Sequence, residues 1–156
     1  VDAQAHLQHA LDLSYRFLGH RDRTVAEVRR HLEAKRIEPA TIDAAVAELG
    51  ELGYLDDARF AQRYAQDRRT VDAWGADRIE RKLVAAGVDP DLIAGALAER
   101  DVAGELEAAV AVLRRRYPAA PADERERERA LGLLVRKGYE LDLAYDAIRA
   151  FERDPG

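Results

Sequence analysis

The chain has 156 residues, with 25 Lys and Arg against 30 Asp and Glu; its net charge of −5 argues against a general nucleic-acid binder. It has no cysteine, which excludes disulfides, iron–sulfur clusters and thiolate-held zinc. No apolar run approaches the roughly 20 residues of a membrane span and no signal-peptide core opens the chain, so a cytoplasmic protein without a membrane partner is expected. There is also no methionine, and the native start is expected to have been removed. Alanine, leucine, glutamate and arginine dominate, and no window alternates β-branched residues, so the expected fold is all-α.

A first helix is expected over residues 4–19. His6 and His9 lie one turn apart on it, but no third ligand completes a metal site, and His20 and His31 are equally isolated. Thr24-Val-Ala-Glu27 has the form of a capping box and opens a second helix, along which Val25, Val28 and Leu32 share a face. Ile42, Val46 and Leu49 share a face of a third. From Ile37 to Ala58 every charged residue is acidic.

The stretch YLDDARF then starts a helix expected over residues 57–71. Asp56 takes the N-cap, with Leu55 and Phe60 at the spacing of a hydrophobic staple, and Asp57 falls in the first turn, where the helix dipole favours an anion. The carboxylate pair therefore reads as structural, not catalytic or metal-binding. On this helix Phe60, Ala61 and Tyr64 form one face and Arg59, Arg63, Gln66 and Arg69 another. Arg68 falls on the apolar side, where a buried or half-buried carboxylate is expected to hold it. Trp74 is expected to plug the gap between this helix and the next, the alternative being an exposed anchor.

Arg78, Arg81 and Lys82 follow on that next helix. If the two helices pack side by side, these three form one basic surface with Arg59, Arg63 and Arg69, the candidate contact for a partner or for DNA phosphates; the alternative is a solvated helix face partly neutralised by Asp67, Asp77 and Glu80. Residues 83–113 are acidic again, with Arg100 the only base. A helix expected over 103–116 ends in Arg114-Arg115-Arg116, where cations either complement the dipole or meet a partner. Pro118 and Pro121 mark a loop, and the charged run ending at Arg129 reads as a solvated helix laced with i,i+3 pairs.

Three segments, starting at Val28, Ile79 and Ala130, align without a gap at an interval of 51 residues. Leu32, Leu83 and Leu134 coincide, as do Ala45, Ala96 and Ala147; the turn position holds Arg36, Gly87 and Gly138. Each segment reads as helix, tight turn, helix, with the glycines suited to a left-handed helix end and Asp89-Pro90 supplying a cap and a first-turn proline. Adding the longer helix before each pair gives three tandem three-helix repeats, assigned to residues 1–55, 56–101 and 102–156.

GYLDDARFAQRYAQDRR, followed by WGADRIERKLVAAGV, resembles the RecX family of recombination regulators. The shared elements are Gly53, Leu55, Asp57, Phe60, Ala61 and Arg68, then Gly75, Arg78-Ile79, Leu83 and Gly87-Val88. The resemblance implies three tandem three-helix repeats in an elongated, curved molecule. It also implies binding to RecA, the bacterial recombinase, in the groove of its filament on DNA, with inhibition of ATP hydrolysis, strand exchange and the co-protease activity of the SOS response. The chain departs from the family in Trp74, in Arg36 at a turn that usually holds glycine, and in its acidic charge.

No nucleophile with an adjacent base, glycine-rich phosphate loop or metal cluster is present, so neither catalysis nor a cofactor is expected, and the chain is expected to be monomeric. A tandem helix-turn-helix DNA reader would place the third helix of each repeat in the major groove. Those helices carry Asp43 and Glu48, then Asp91 and Glu99, then Glu140, Asp142 and Asp146, the wrong sign for phosphates. Weak single-strand contact through the second repeat stays open, as does a generic helical-repeat scaffold.

Overall fold

The computed structural model describes residues 2–98 and 101–156; Glu99 and Arg100, both weighed above, lie outside the described residues. These form nine helices and no strand: α1 (Ala3–Leu18), α2 (Val25–Ala34), α3 (Pro39–Glu51), α4 (Asp57–Val71), α5 (Ala76–Ala85), α6 (Pro90–Ala98), α7 (Val102–Arg116), α8 (Glu124–Lys137) and α9 (Leu141–Arg153). The chain is all-α, in three successive triplets. It divides into two compact units, Val1–Arg63 with Leu83–Ala94, and Tyr64–Lys82 with Gly95–Gly156. The division falls inside the middle triplet, through α4, α5 and α6.

In the first unit α1, α2 and α3 pack on one another around Leu11, Val28, Leu32, Ile42 and Leu49, and Leu55 joins the same core. The capping box at Thr24 is complete: Glu27 N–H donates to Thr24 Oγ1 at 3.1 Å, and Thr24 N–H to Glu27 Oε1 at 3.0 Å. Asp56 caps α4 by accepting from Arg59 N–H at 3.0 Å, and Phe60 is half-buried one turn on.

The helix ends repeat bond for bond. After α2, Arg36 N–H donates to Glu33 O at 2.9 Å and Ile37 N–H to Leu32 O at 3.1 Å, the paired bonds of a Schellman turn. After α5 the donors are Gly87, to Val84 O at 3.0 Å, and Val88, to Leu83 O at 3.1 Å. In the second unit, after α8, they are Gly138, to Val135 O at 3.0 Å, and Tyr139, to Leu134 O at 3.1 Å. The middle residue is left-handed each time, with φ of 62° at Arg36, 80° at Gly87 and 100° at Gly138. Glycine takes this conformation freely, whereas Arg36 holds it at a cost of about 1 kcal/mol.

Each glycine turn seats against the start of another helix. In the first unit, fully buried Thr24 donates its hydroxyl to Ala86 O at 2.6 Å, and a Cβ on Gly87 would overlap that of Ala26. Asp57 belongs to the same joint. Its Oδ1 accepts from Val25 N–H at 3.0 Å, so it caps α2 as well as lying in the first turn of α4.

The second unit has the counterpart. Here α7, α8 and α9 enclose Leu113, Leu134, Tyr139, Ile148 and Phe151. Gly75 N–H donates to Lys137 O and Asp77 N–H to Gly138 O, both at 2.9 Å. In return Tyr139 donates its hydroxyl to Ala73 O at 2.6 Å, and Lys137 Nζ donates to Asp72 O at 3.0 Å. Burial, reinforced by Glu105 and opposed by Arg115, pushes the Tyr139 phenol up to about 12, so it stays a donor. A Cβ on Gly75 would overlap the Gly138 carbonyl, and one on Gly138 would overlap the Arg78 side chain. Arg68, at the end of α4, pairs with half-buried Asp72 at 2.6 Å.

Gly75→Ala should therefore destabilise the chain by about 1–3 kcal/mol in urea or thermal unfolding. Gly50→Ala, in α3 with open space where the methyl would go, should be neutral or stabilising by about 0.5–1 kcal/mol. Equal effects of the two would remove the close approach from the account.

Burial, then the charges of Asp56 and Glu27, hold Asp57 above its ordinary value of 3.8, against the bond from Val25 N–H. The folded state thus binds this proton more tightly than the unfolded state. Asp57 contributes most favourably below its unfolded pKa, and that contribution is lost as pH rises through the raised one. Asp57→Asn keeps an oxygen for Val25 N–H, so its stability relative to the wild type should rise between pH ~3 and pH ~7. A pH-independent difference in urea unfolding would contradict this reading.

Candidate functional site

The six candidate cations divide between the two units. In the first, Arg59 donates from Nη2 to Gly53 O at 2.7 Å and so braces the turn before α4. Arg63 stands 4.0 Å from Asp22, with side chains 65% and 77% exposed, a pairing that contributes little. In the second unit Arg69 is half-buried, and its Nη2 finds no acceptor among the described residues. Arg78 donates to Arg136 O at 3.3 Å and lies over the Trp74 ring, 4.0 Å from its centroid. Arg81 and Lys82 are exposed on α5. Arg63, Arg81 and Lys82 are thus the cations least committed to holding the fold.

Trp74 is half-buried at the corner between α4 and α5, edge-on to Tyr64 at 6.3 Å and covered by Arg78. Its N–H donates to Arg68 O at 3.1 Å through the backbone. Ala73 before it is left-handed, with φ of 56°. The corner is therefore fixed on both sides. Arg78 and Trp74 also line a cleft of about 620 Å³ in the second unit with Arg115, Arg116 and Lys137. The run Arg114-Arg115-Arg116 was the sequence signal for this group; Arg114 itself turns away to Asp154, at 3.5 Å. Lys137 carried no signal of its own.

The histidines form no comparable site. His6 and His9 border a shallow hollow of about 200 Å³ with Arg36 and Glu38. Among the described residues no three His, Cys, Asp or Glu side chains gather to hold a metal ion. His31 stacks flat on Phe17 at 4.1 Å, and burial, then Lys35 and Arg23, push its imidazole pKa down. On α3, Asp43 pairs with Arg29 at 2.8 Å, and on α9 Asp146 pairs with Arg149. Those two acids are offset by arginines, while Asp91 on α6 and Asp142 on α9 stay exposed, of the wrong sign for a phosphate backbone. No described helix is long and apolar enough to cross a membrane.

Three descriptions of known protein domains match the chain in order: the first three-helix domain of RecX over residues 10–49, the second over 56–97 and the third over 103–148. The regulatory protein RecX of Trichlorobacter lovleyi is 40% identical over 133 residues, 82% of this chain and 86% of that protein. That of Mycobacterium avium is 36% identical over 147 residues, 92% of this chain and 84% of that protein. The crystal structure of RecX from Lactobacillus salivarius superposes with a TM-score of 0.84 over 96% of this chain and 99% of that one; at 20% identity it speaks for the fold alone. The three triplets, the matched domains and the relatives agree along the length of the chain, which belongs to the RecX family of regulatory proteins.

Proposed function

We propose that the chain regulates the RecA recombinase, mainly as an inhibitor, by binding in the groove of the RecA–DNA filament. The observation that carries this reading is the match, in order, to all three RecX domains. In this reading the repeats 1–55, 56–101 and 102–156 are the units that meet successive protomers. Binding that holds protomers together or fills the groove would slow ATP hydrolysis, strand exchange and co-protease activity alike. The protein acts without catalysis or cofactor, as a monomer in the cytoplasm.

A filament groove exposes acidic protein surface and DNA phosphates, the natural complement of a basic surface. Arg63, Arg81 and Lys82 supply that attraction, while Arg59 and Arg78 are tied to Gly53 and Trp74. Single-stranded DNA is contacted weakly and in passing, since the acidic third helices repel phosphate.

The triple variant Arg63→Glu, Arg81→Glu, Lys82→Glu should bind RecA filaments on single-stranded DNA about tenfold more weakly, with unchanged helicity and a shallower salt dependence. Sedimentation or anisotropy with the cognate filament measures this. Undiminished binding would remove these cations from the interface.

A further inference from the structure

The cleft at the α4–α5 corner differs in kind from the exposed cations. Four of its lining residues are cationic: Arg78, Arg115, Arg116 and Lys137. Its one acid, Asp72, is already paired with Arg68. This local excess of positive charge sits in a chain whose net charge is −5. Arg115 and Arg116 are exposed at the end of α7, Arg116 with its guanidinium 5.2 Å from the Tyr117 ring centroid, and arginine favours the two-pronged geometry that meets a carboxylate.

The rest of the lining is apolar, Trp74 with four aliphatic side chains. Val71, 73% exposed, stands at the mouth, and Ala73, Val112 and Leu133 complete the apolar surface. An occupant must therefore bring negative charge and an apolar group together. A single nucleic-acid strand brings charge but needs an open aromatic face on which to stack its bases. Trp74 does not offer one toward solvent, because Arg78 covers its ring at 4.0 Å and Tyr64 meets it edge-on. The corner is also held by bonds from Lys137 Nζ and the Tyr139 hydroxyl, so the cleft is formed before a ligand arrives.

We propose that this cleft docks an acidic peptide segment carrying one aliphatic side chain, with Arg115 and Arg116 taking its carboxylates and Val71, Ala73 and Leu133 its apolar group. The chemistry alone identifies the segment, and the proposal stands apart from the RecA reading.

Trp74 is the chain's one tryptophan and reports from the cleft itself. The probe is a short synthetic peptide of Glu and Asp around a central Leu, free of tryptophan and tyrosine. Titration at low salt should change Trp74 emission saturably. Arg115→Glu with Arg116→Glu should weaken binding at least tenfold, and replacing the peptide's Leu with Ser severalfold. The milder pair Arg115→Gln, Arg116→Gln should weaken it in the same direction, and thermal melts check that both pairs fold. No saturable change would overturn the proposal. So would undiminished binding by the folded variants, equal binding of the Ser peptide, or tighter binding of a thymidine oligonucleotide, which would make the cleft a nucleic-acid site.

Discussion

The start of α5 and the end of α8 each leave backbone groups that their own helices cannot pair, and in the second unit the two ends satisfy one another. The N–H groups of Gly75 and Asp77 meet the carbonyls of Lys137 and Gly138, the positive end of one helix dipole against the negative end of the other. This requires backbones in contact. Gly75 and Gly138 permit it because neither has a side chain to stand in the way, and Gly138 also supplies the left-handed turn. The first unit meets the same need with side chains: the start of α2 is met by the Asp57 carboxylate, and the buried Thr24 hydroxyl reaches Ala86 O.

A joint of this kind shapes the surface as well as the core. Asp72 O and Ala73 O both accept bonds from the α8 turn, which leaves the corner before α5 little freedom and holds Trp74 under Arg78. The basic side chains consequently serve two ends. Arg59 and Arg78 spend their guanidinium groups on the fold, whereas Arg63, Arg81, Lys82, Arg115 and Arg116 face solvent. A regulator that works by contact needs the second kind on a scaffold kept rigid by the first.

Much of this was legible because a Schellman turn leaves a strong mark. A left-handed residue followed by an apolar one, at an interval of 51, revealed the repeat, and Arg36 was correctly placed at the same position although it is not glycine. The cap at Asp56 was legible for the same reason: its bond reaches only to Arg59. What could not be read were partners distant in sequence. Asp57 looked like a residue of its own helix because Val25, whose N–H it accepts, lies 32 residues away. Gly75 was noticed through the family resemblance, but its physical reason, the carbonyl of Gly138, has no local signature. The cleft was hidden likewise, since Arg78, Arg115 and Lys137 come from three helices.

The central functional claim is that this scaffold acts on RecA filaments, and the most direct measurement is the single-strand-dependent ATPase rate of the cognate RecA as the protein is titrated, beside its binding to bare single-stranded DNA. Hydrolysis should fall at substoichiometric protein, with little binding to bare DNA. Unchanged hydrolysis across the titration would contradict the claim.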